Sequence, residues 1–579
     1  MIEGMRQGKD KGSFRWRAAF LAAACAGIFF RAAPVAAVMP ETIRAEELTF
    51  GETGYGLTVL RGEEPETFPV TYIGRLENTR PGQEMVLIRL HGKRLEKSGI
   101  VAGMSGSPIF FRSRLLGALA YGWQGAREPI AGVTPIDLML KLIPETRRAE
   151  EEGWRAMLPF FDSGSEEEGS RHRSRGWVPV TTPLSVAGLP VNGASQTRER
   201  LERLGFLVVP GGRVPRKPSP LKPGSAIGVR LVDGDLSATA IGTVTWLDSD
   251  IVLAFGHSFL NRGFNPVPIT GARIEAIMPT REISFKMGSA TNDVGTLVRD
   301  AAVGISGRLG PRPKMIPVTV TLEAPWRKRR LHYLVARERT IAARLINAVW
   351  SASAEQELFT RGPASVDVEV AIVVEGRTIH LKDRGVVKQS ITEVMPTLPV
   401  QILYENPFRS LHPDSIAVRV RVGTDLRHGE ILRVRNLEPK VEAGGTLPIE
   451  VTLHVYEEGR RKVRIGVPIP SDLEEGKVGL AISGGRGVVP SVAEPRNLKD
   501  LLDRLANYES QDMLVVRIFR SEKDEKIVGD AVLPQLPQGL RGIQEGRTEA
   551  GERVLLRKRL DIPVAGELTT WIEVERKKE

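Results

Sequence analysis

Short apolar runs separated by glycine, proline and charged turns fill most of the chain, the pattern of many short strands. Between residues 43 and 146 the runs YGLTVL, FPVTYIG, MVLIRL, SPIFF, LLGALAYGW and IAGVTPI follow one another, and IDLMLKLI closes the block at helical spacing. Residues 147–178 then lose this periodicity to charge runs and Ser/Gly content, which predicts a linker. From 179 to 323 strand patterns return in AIGVRLV, SATAIGTVTWL, IVLAFG and MIPVTVTL. A helical face of Ile341, Leu345, Ile346, Val349 and Trp350 marks 324–428 as an α+β module, since strands such as VDVEVAIVV follow it. Alternating strands from 429 to 579, interrupted by the amphipathic LKDLLDRLANY, predict a β-sandwich-like domain.

Composition refines this picture in two places. A length of 579 residues exceeds one hydrophobic core, so three or four modules are expected. The 59 Gly and 39 Pro with 6% aromatics favour a mostly β class. A net charge of +11 would suit a membrane surface or a polyanion, but the basic residues are interspersed with acidic ones and no base-reading motif accompanies them. Nucleic acid is therefore not an expected partner, membrane-surface association stays open, and the composition leaves the oligomeric state undetermined.

Arg6, Lys9, Lys11, Arg15 and Arg17 precede AAFLAAACAGIFF and the small residues RAAPVAAV, which reads as a signal peptide over residues 1–37 with cleavage after Ala37. The alternative, an uncleaved anchor, would need about 20 apolar residues, and Arg31 interrupts the run. Export to the periplasm, cell envelope or medium is the expectation. Cys25, the single cysteine, falls inside this segment, so the mature chain is expected to lack thiol chemistry and disulfides. The histidines show no metal-ligand spacing, and neither a metal nor another cofactor is expected. ISGGRG, residues 482–487, lacks the Lys-Ser/Thr ending of a phosphate loop and reads as a glycine hairpin.

One stretch carries reaction chemistry. In Gly103-Met104-Ser105-Gly106-Ser107-Pro108 the glycines permit a tight turn that exposes Ser105 and lets the N–H groups of Gly103 and Ser105 converge as an oxyanion hole. The strands after the turn, PIFF and LLGALAYGW, then IAGVTPI and a helix, have the order found after the nucleophile in chymotrypsin-like folds. GIVAGMSGSP with LLGALAYGW resembles the SpoIVB-type serine peptidases, and IGTVTWLDSDIVLAFGHSF resembles that family's histidine segment. The similarity spans about residues 43–145 and 218–321.

This resemblance implies a trypsin-like double β-barrel and a serine endopeptidase with Ser105 as nucleophile and His257 as general base. A peptide or protein substrate would pair as a strand beside Ala120, Tyr121, Gly122 and Trp123. Two departures stand out. The serine segment precedes the histidine segment, the reverse of the family order, which implies permuted halves. The family's acidic residue has no counterpart in LHGKRLEKSG, leaving Asp248, Asp250, Asp293, Asp300 or a backbone carbonyl to orient the imidazole, or a Ser-His dyad. His91 is an alternative base. The competing reading is an inactive protease-fold scaffold or peptide-binding protein.

Overall fold

The structure, a computed structural model, describes residues 41–576 apart from 81–82, 124, 152–177, 190–194, 215–219, 262, 311, 359–361, 389–390, 392–397, 486–494, 507–508, 520–525, 529–530 and 534–552. The expected signal segment with Cys25, the core of the linker and the end of ISGGRG therefore lie outside the described residues. No helix among the described residues is long and apolar enough to cross a membrane.

The alternating runs of the first block form β1 (Thr53–Thr58), β2 (Glu66–Arg80), β3 (Gln83–Leu90), β4 (Pro108–Phe111), β5 (Arg114–Gly122) and β6 (Ile130–Pro135). They pair antiparallel in the order β4-β1-β2-β3-β6-β5, and β4 pairs with β5, which closes a six-stranded barrel. Its interior is apolar, with Val86, Ile88, Ile109, Phe111, Leu119 and Val133 removed from solvent. The short β7 (Val178–Pro179), beyond the charged stretch, returns to this barrel and pairs with the end of β5.

Next, β8 (Pro183–Ala187) and β9 (Leu207–Pro210) lead into β10 (Ala226–Gly234), β11 (Ser237–Asp248), β12 (Ile251–Ala254), β13 (Gly263–Met278), β14 (Phe285–Ala301) and β15 (Gly304–Leu309). The order β10-β13-β14-β15-β12-β11, with β10 pairing β11, closes a second six-stranded barrel. Numbered within each barrel, both follow the same circuit, 1-2-3-6-5-4. The fold is thus mostly β, as the strand pattern predicts, with the trypsin-like double barrel that the family resemblance implies. Each block closes by itself into a complete barrel.

β16 (Ile316–Ala324) and β17 (Arg327–Val335) already belong to the following module: β16 pairs with β17 and lies parallel to a strand at Ser415–Gly423. β17 also pairs with β10, so this sheet continues directly from the second barrel. The helix Ala342–Glu357 forms where the helical face predicts it, and its Leu345, Val349 and Trp350 enter the same apolar core as β10 and β17. Beyond residue 429, a four-stranded and a five-stranded sheet share a core that includes Leu447, Val451, Leu480 and Val516, a sandwich. The amphipathic helix Leu498–Ala506 instead puts Leu501, Leu502 and Leu505 into the core of the preceding module.

Candidate active site

Ser105 and His257 occupy matching places in their barrels. Ser105 lies between β3 and β4 and His257 between β12 and β13, in each case the connection from the third strand to the fourth. The two connections meet where the barrels dock. Gly106 has φ +95°, and a Cβ on it would stand 2.0 Å from the Thr243 carbonyl oxygen and 2.5 Å from the Phe255 nitrogen. Only glycine permits both that backbone and that approach. On the other side, Thr134 of β6 donates its hydroxyl to the Gly256 carbonyl at 2.6 Å, and Gly256 packs against Ala118 and Ala120 of β5. Phe255 itself is left-handed, φ +70°, and wholly buried, so the histidine turn is held in a conformation an aromatic residue rarely adopts.

The serine turn is gripped by its carbonyls. Thr243 donates its backbone N–H to Ser105 O at 2.8 Å and its hydroxyl to Gly103 O at 2.9 Å, while the Thr245 hydroxyl reaches Gly106 O at 2.8 Å. The Ala102 carbonyl accepts from the Lys286 N–H at 3.0 Å. The Met104 carbonyl accepts from the N–H and the hydroxyl of Ser107, at 2.9 and 2.7 Å. Because a peptide is planar, fixing the carbonyls of Ala102 and Met104 also fixes the N–H groups of Gly103 and Ser105. Among the described residues neither of those two N–H groups has an acceptor, whereas those of Met104, Gly106 and Ser107 do. An oxyanion hole needs this arrangement: two donors with fixed direction and no prior engagement.

His257 is 3% exposed, and its Nδ1 lies 2.8 Å from the Ser258 carbonyl oxygen. A carbonyl can only accept, so Nδ1 carries the proton and Nε2 is the basic nitrogen. Ser105 has no exposed surface, and among the described residues its Oγ makes no hydrogen bond, to His257 included. Of the aspartates considered, Asp248 pairs with Arg147, Asp250 with Arg308, and Asp293 with Arg230 and Arg312. Asp300 differs. It sits at the end of β14, is 1% exposed, and takes the N–H groups of Phe259 and Leu260 on its two oxygens, each at 2.7 Å. It thereby fixes the loop that carries His257. His91 is placed elsewhere, with Nε2 2.8 Å from Thr71 Oγ1.

The edge of β5 is already occupied. Tyr121 faces Pro179 and Gly122 faces Val178 in antiparallel register, and Val180 donates to Ala120 O at 2.8 Å. Farther along the same segment, Pro183 Cγ stands 3.2 Å from the point a Cβ on Gly103 would take. A substrate strand beside Ala120, Tyr121, Gly122 and Trp123 would take the place of residues 178–180. A cleft of about 390 Å³ lies alongside, lined by Ile100, Ala102, Trp123, Val180 and Ile283 among others.

Sequence reasoning passed over Lys286. It is fully buried at the barrel junction, its amine 2.8 Å from Thr58 Oγ1 and 3.3 Å from Thr243 Oγ1. Burial pushes it down to about 7 from the usual lysine value. The available signal was a lysine set between Phe285 and Met287 in a strand. Among the described residues no group of three His, Cys, Asp or Glu side chains is placed to hold a metal ion.

Residues 35–129 match the family described as SpoIVB peptidase S55, the segment that contains the serine turn and the strands around it. The match bears out the resemblance read from GIVAGMSGSP and supports a serine peptidase of that family. His257 lies beyond the matched residues. No curated protein and no solved structure matches the chain.

Proposed function

We propose that this SpoIVB-type serine peptidase is an exported endopeptidase that cleaves protein or peptide substrates by acyl transfer through Ser105 and His257. The observation that carries the proposal is the serine turn itself, with the Gly103 and Ser105 N–H groups locked in direction and left without acceptors beside a histidine connection from the opposite barrel. In this reading Ser105 Oγ forms a bond to the scissile carbonyl carbon while His257 Nε2 takes the hydroxyl proton. The carbonyl oxygen, now negative, is held by the two N–H groups, each typically worth about 2.7–4 kcal/mol in the transition state. Collapse breaks the C–N bond, and His257 returns its proton to the leaving amine. Water then hydrolyses the acyl-enzyme with His257 again as base. Asp300 acts one step back, by fixing Phe259 and Leu260. Neither metal nor cofactor enters these steps.

Substrate pairing on β5 requires residues 178–180 to leave that edge, because Ala120 O and the register at Tyr121 and Gly122 are taken. The second reading, a peptidase fold that binds peptides without cutting them, is favoured by the full burial of Ser105 and by its lack of a hydrogen bond to His257. Hydrolysis of an unstructured fluorogenic casein separates the two. The peptidase reading expects turnover by the wild-type chain that Ser105→Ala abolishes; equal turnover in both, or binding with no turnover, supports the alternative.

A further inference from the structure

Lys286 is a buried amine with no carboxylate beside it among the described residues. Its Nζ meets two threonine hydroxyls, Thr58 from β1 of the first barrel and Thr243 from β11 of the second. These hydroxyls are themselves 3.5 Å apart. Thr243 spends its own hydroxyl proton on Gly103 O, so it can only accept from the lysine. A neutral amine has two N–H groups and finds two acceptors here, whereas the third N–H of an ammonium has none among the described residues. Among the described residues desolvation alone shifts its ionisation, with no coulombic partner.

The residue also holds the serine turn twice. Its backbone N–H fixes the Ala102 carbonyl, and with it the peptide that presents the Gly103 N–H. Its amine fixes the Thr243 hydroxyl, which in turn holds the Gly103 carbonyl. A Cβ at Gly103 would stand 3.2 Å from Lys286 Cδ, so the lysine stem packs directly beneath the turn.

We propose that Lys286 is a positioning residue for the oxyanion hole: its backbone N–H holds the peptide that presents the Gly103 N–H, and its amine, through the Thr243 hydroxyl, holds the Gly103–Met104 peptide that joins the Gly103 and Ser105 donors, a role that rests on the peptidase reading above. It touches no reacting atom. Its contribution is realised only when the carbonyl oxygen becomes negative, so it affects the chemical step and leaves substrate affinity alone.

The test uses a fluorophosphonate, whose phosphoryl oxygen gains negative charge in the hole as Ser105 Oγ bonds to phosphorus, the P–F bond breaks to release fluoride and His257 takes the hydroxyl proton. Lys286→Met keeps an unbranched apolar stem, Thr243→Val replaces the hydroxyl by a methyl group, and Thr243→Ser keeps the hydroxyl. The expected result is a maximal labelling rate lowered about tenfold or more in Lys286→Met and Thr243→Val, an unchanged half-saturating probe concentration, and recovery to near wild type in Thr243→Ser. The double variant should lose no more than the worse single one, since both act on one chain of contacts. Wild-type rates in Lys286→Met, or equal losses in Thr243→Ser and Thr243→Val, would overturn the proposal. If Lys286→Met does not fold, the Thr243 pair decides. A wild-type chain that is not labelled, or a label that persists in Ser105→Ala, removes the peptidase reading itself and is read separately.

Discussion

Thr243 holds Ser105 from across the barrel junction, its backbone N–H donating to the Ser105 carbonyl at 2.8 Å. The serine turn of one barrel is thus shaped by a strand of the other. Gly106 is where that docking tolerates least. A Cβ there would collide with the Thr243 carbonyl at 2.0 Å, on a backbone with φ +95°. Gly106→Ala is expected to cost about 3 kcal/mol or more of stability and to abolish phosphonylation, as read by urea unfolding and by labelling.

Asp300 is expected to matter to rate as well as to stability. Both its oxygens accept backbone N–H groups of the histidine loop, and Asp300→Asn leaves one of those donors facing an NH₂ group. A loss of about 1–3 kcal/mol in unfolding free energy should accompany a fall in labelling rate that is larger than the stability loss explains at 25 °C. A labelling rate equal to that of the wild type would remove Asp300 from the site.

Release of the β5 edge should raise activity. Val180→Pro deletes the N–H that donates to Ala120 O, while also replacing a side chain packed in the core of the first barrel. The measurement is the initial rate of casein hydrolysis, expected to exceed that of the wild type; a lower rate would show that residues 178–180 support the site and do not cover it.

The depressed lysine gives the protein a pH signature. Lys286 titrates near 7 when folded against 10.5 when unfolded. Between those values the unfolded state binds the extra proton, so stability rises with pH across this window, and the contribution is lost as pH falls toward 7. The slope for one proton is about 1.4 kcal/mol per pH unit. Urea unfolding of the wild type from pH 7.5 to 9.5 should show that rise relative to Lys286→Met, in which the component is absent.

The fold and the serine turn were legible because they rest on local signals. Glycines flank Ser105, apolar runs alternate with turns, and Ile341 to Trp350 repeat at helical spacing. What was hidden depends on contacts between residues far apart in the chain. Asp300 looks like any other carboxylate near a turn until the histidine loop is seen to hang from it, and Asp248, Asp250 and Asp293 turn out to pair with arginines. Lys286 reads as one polar residue in a strand, and its burial follows only from Thr58 and Thr243 closing over it from separate barrels. Nothing in VPVTTP announces that Val178 and Pro179 return to β5 and occupy the edge assigned to substrate. The serine and histidine segments each close their own barrel, and the two connections meet where the barrels dock.

The most direct measurement is the site of fluorophosphonate attachment by mass spectrometry in the wild-type chain, Ser105→Ala and His257→Ala. The account predicts one adduct on Ser105 in the wild type, none in Ser105→Ala, and labelling slowed by about a hundredfold or more in His257→Ala. An adduct on another residue, or undiminished labelling of Ser105 without His257, would contradict it.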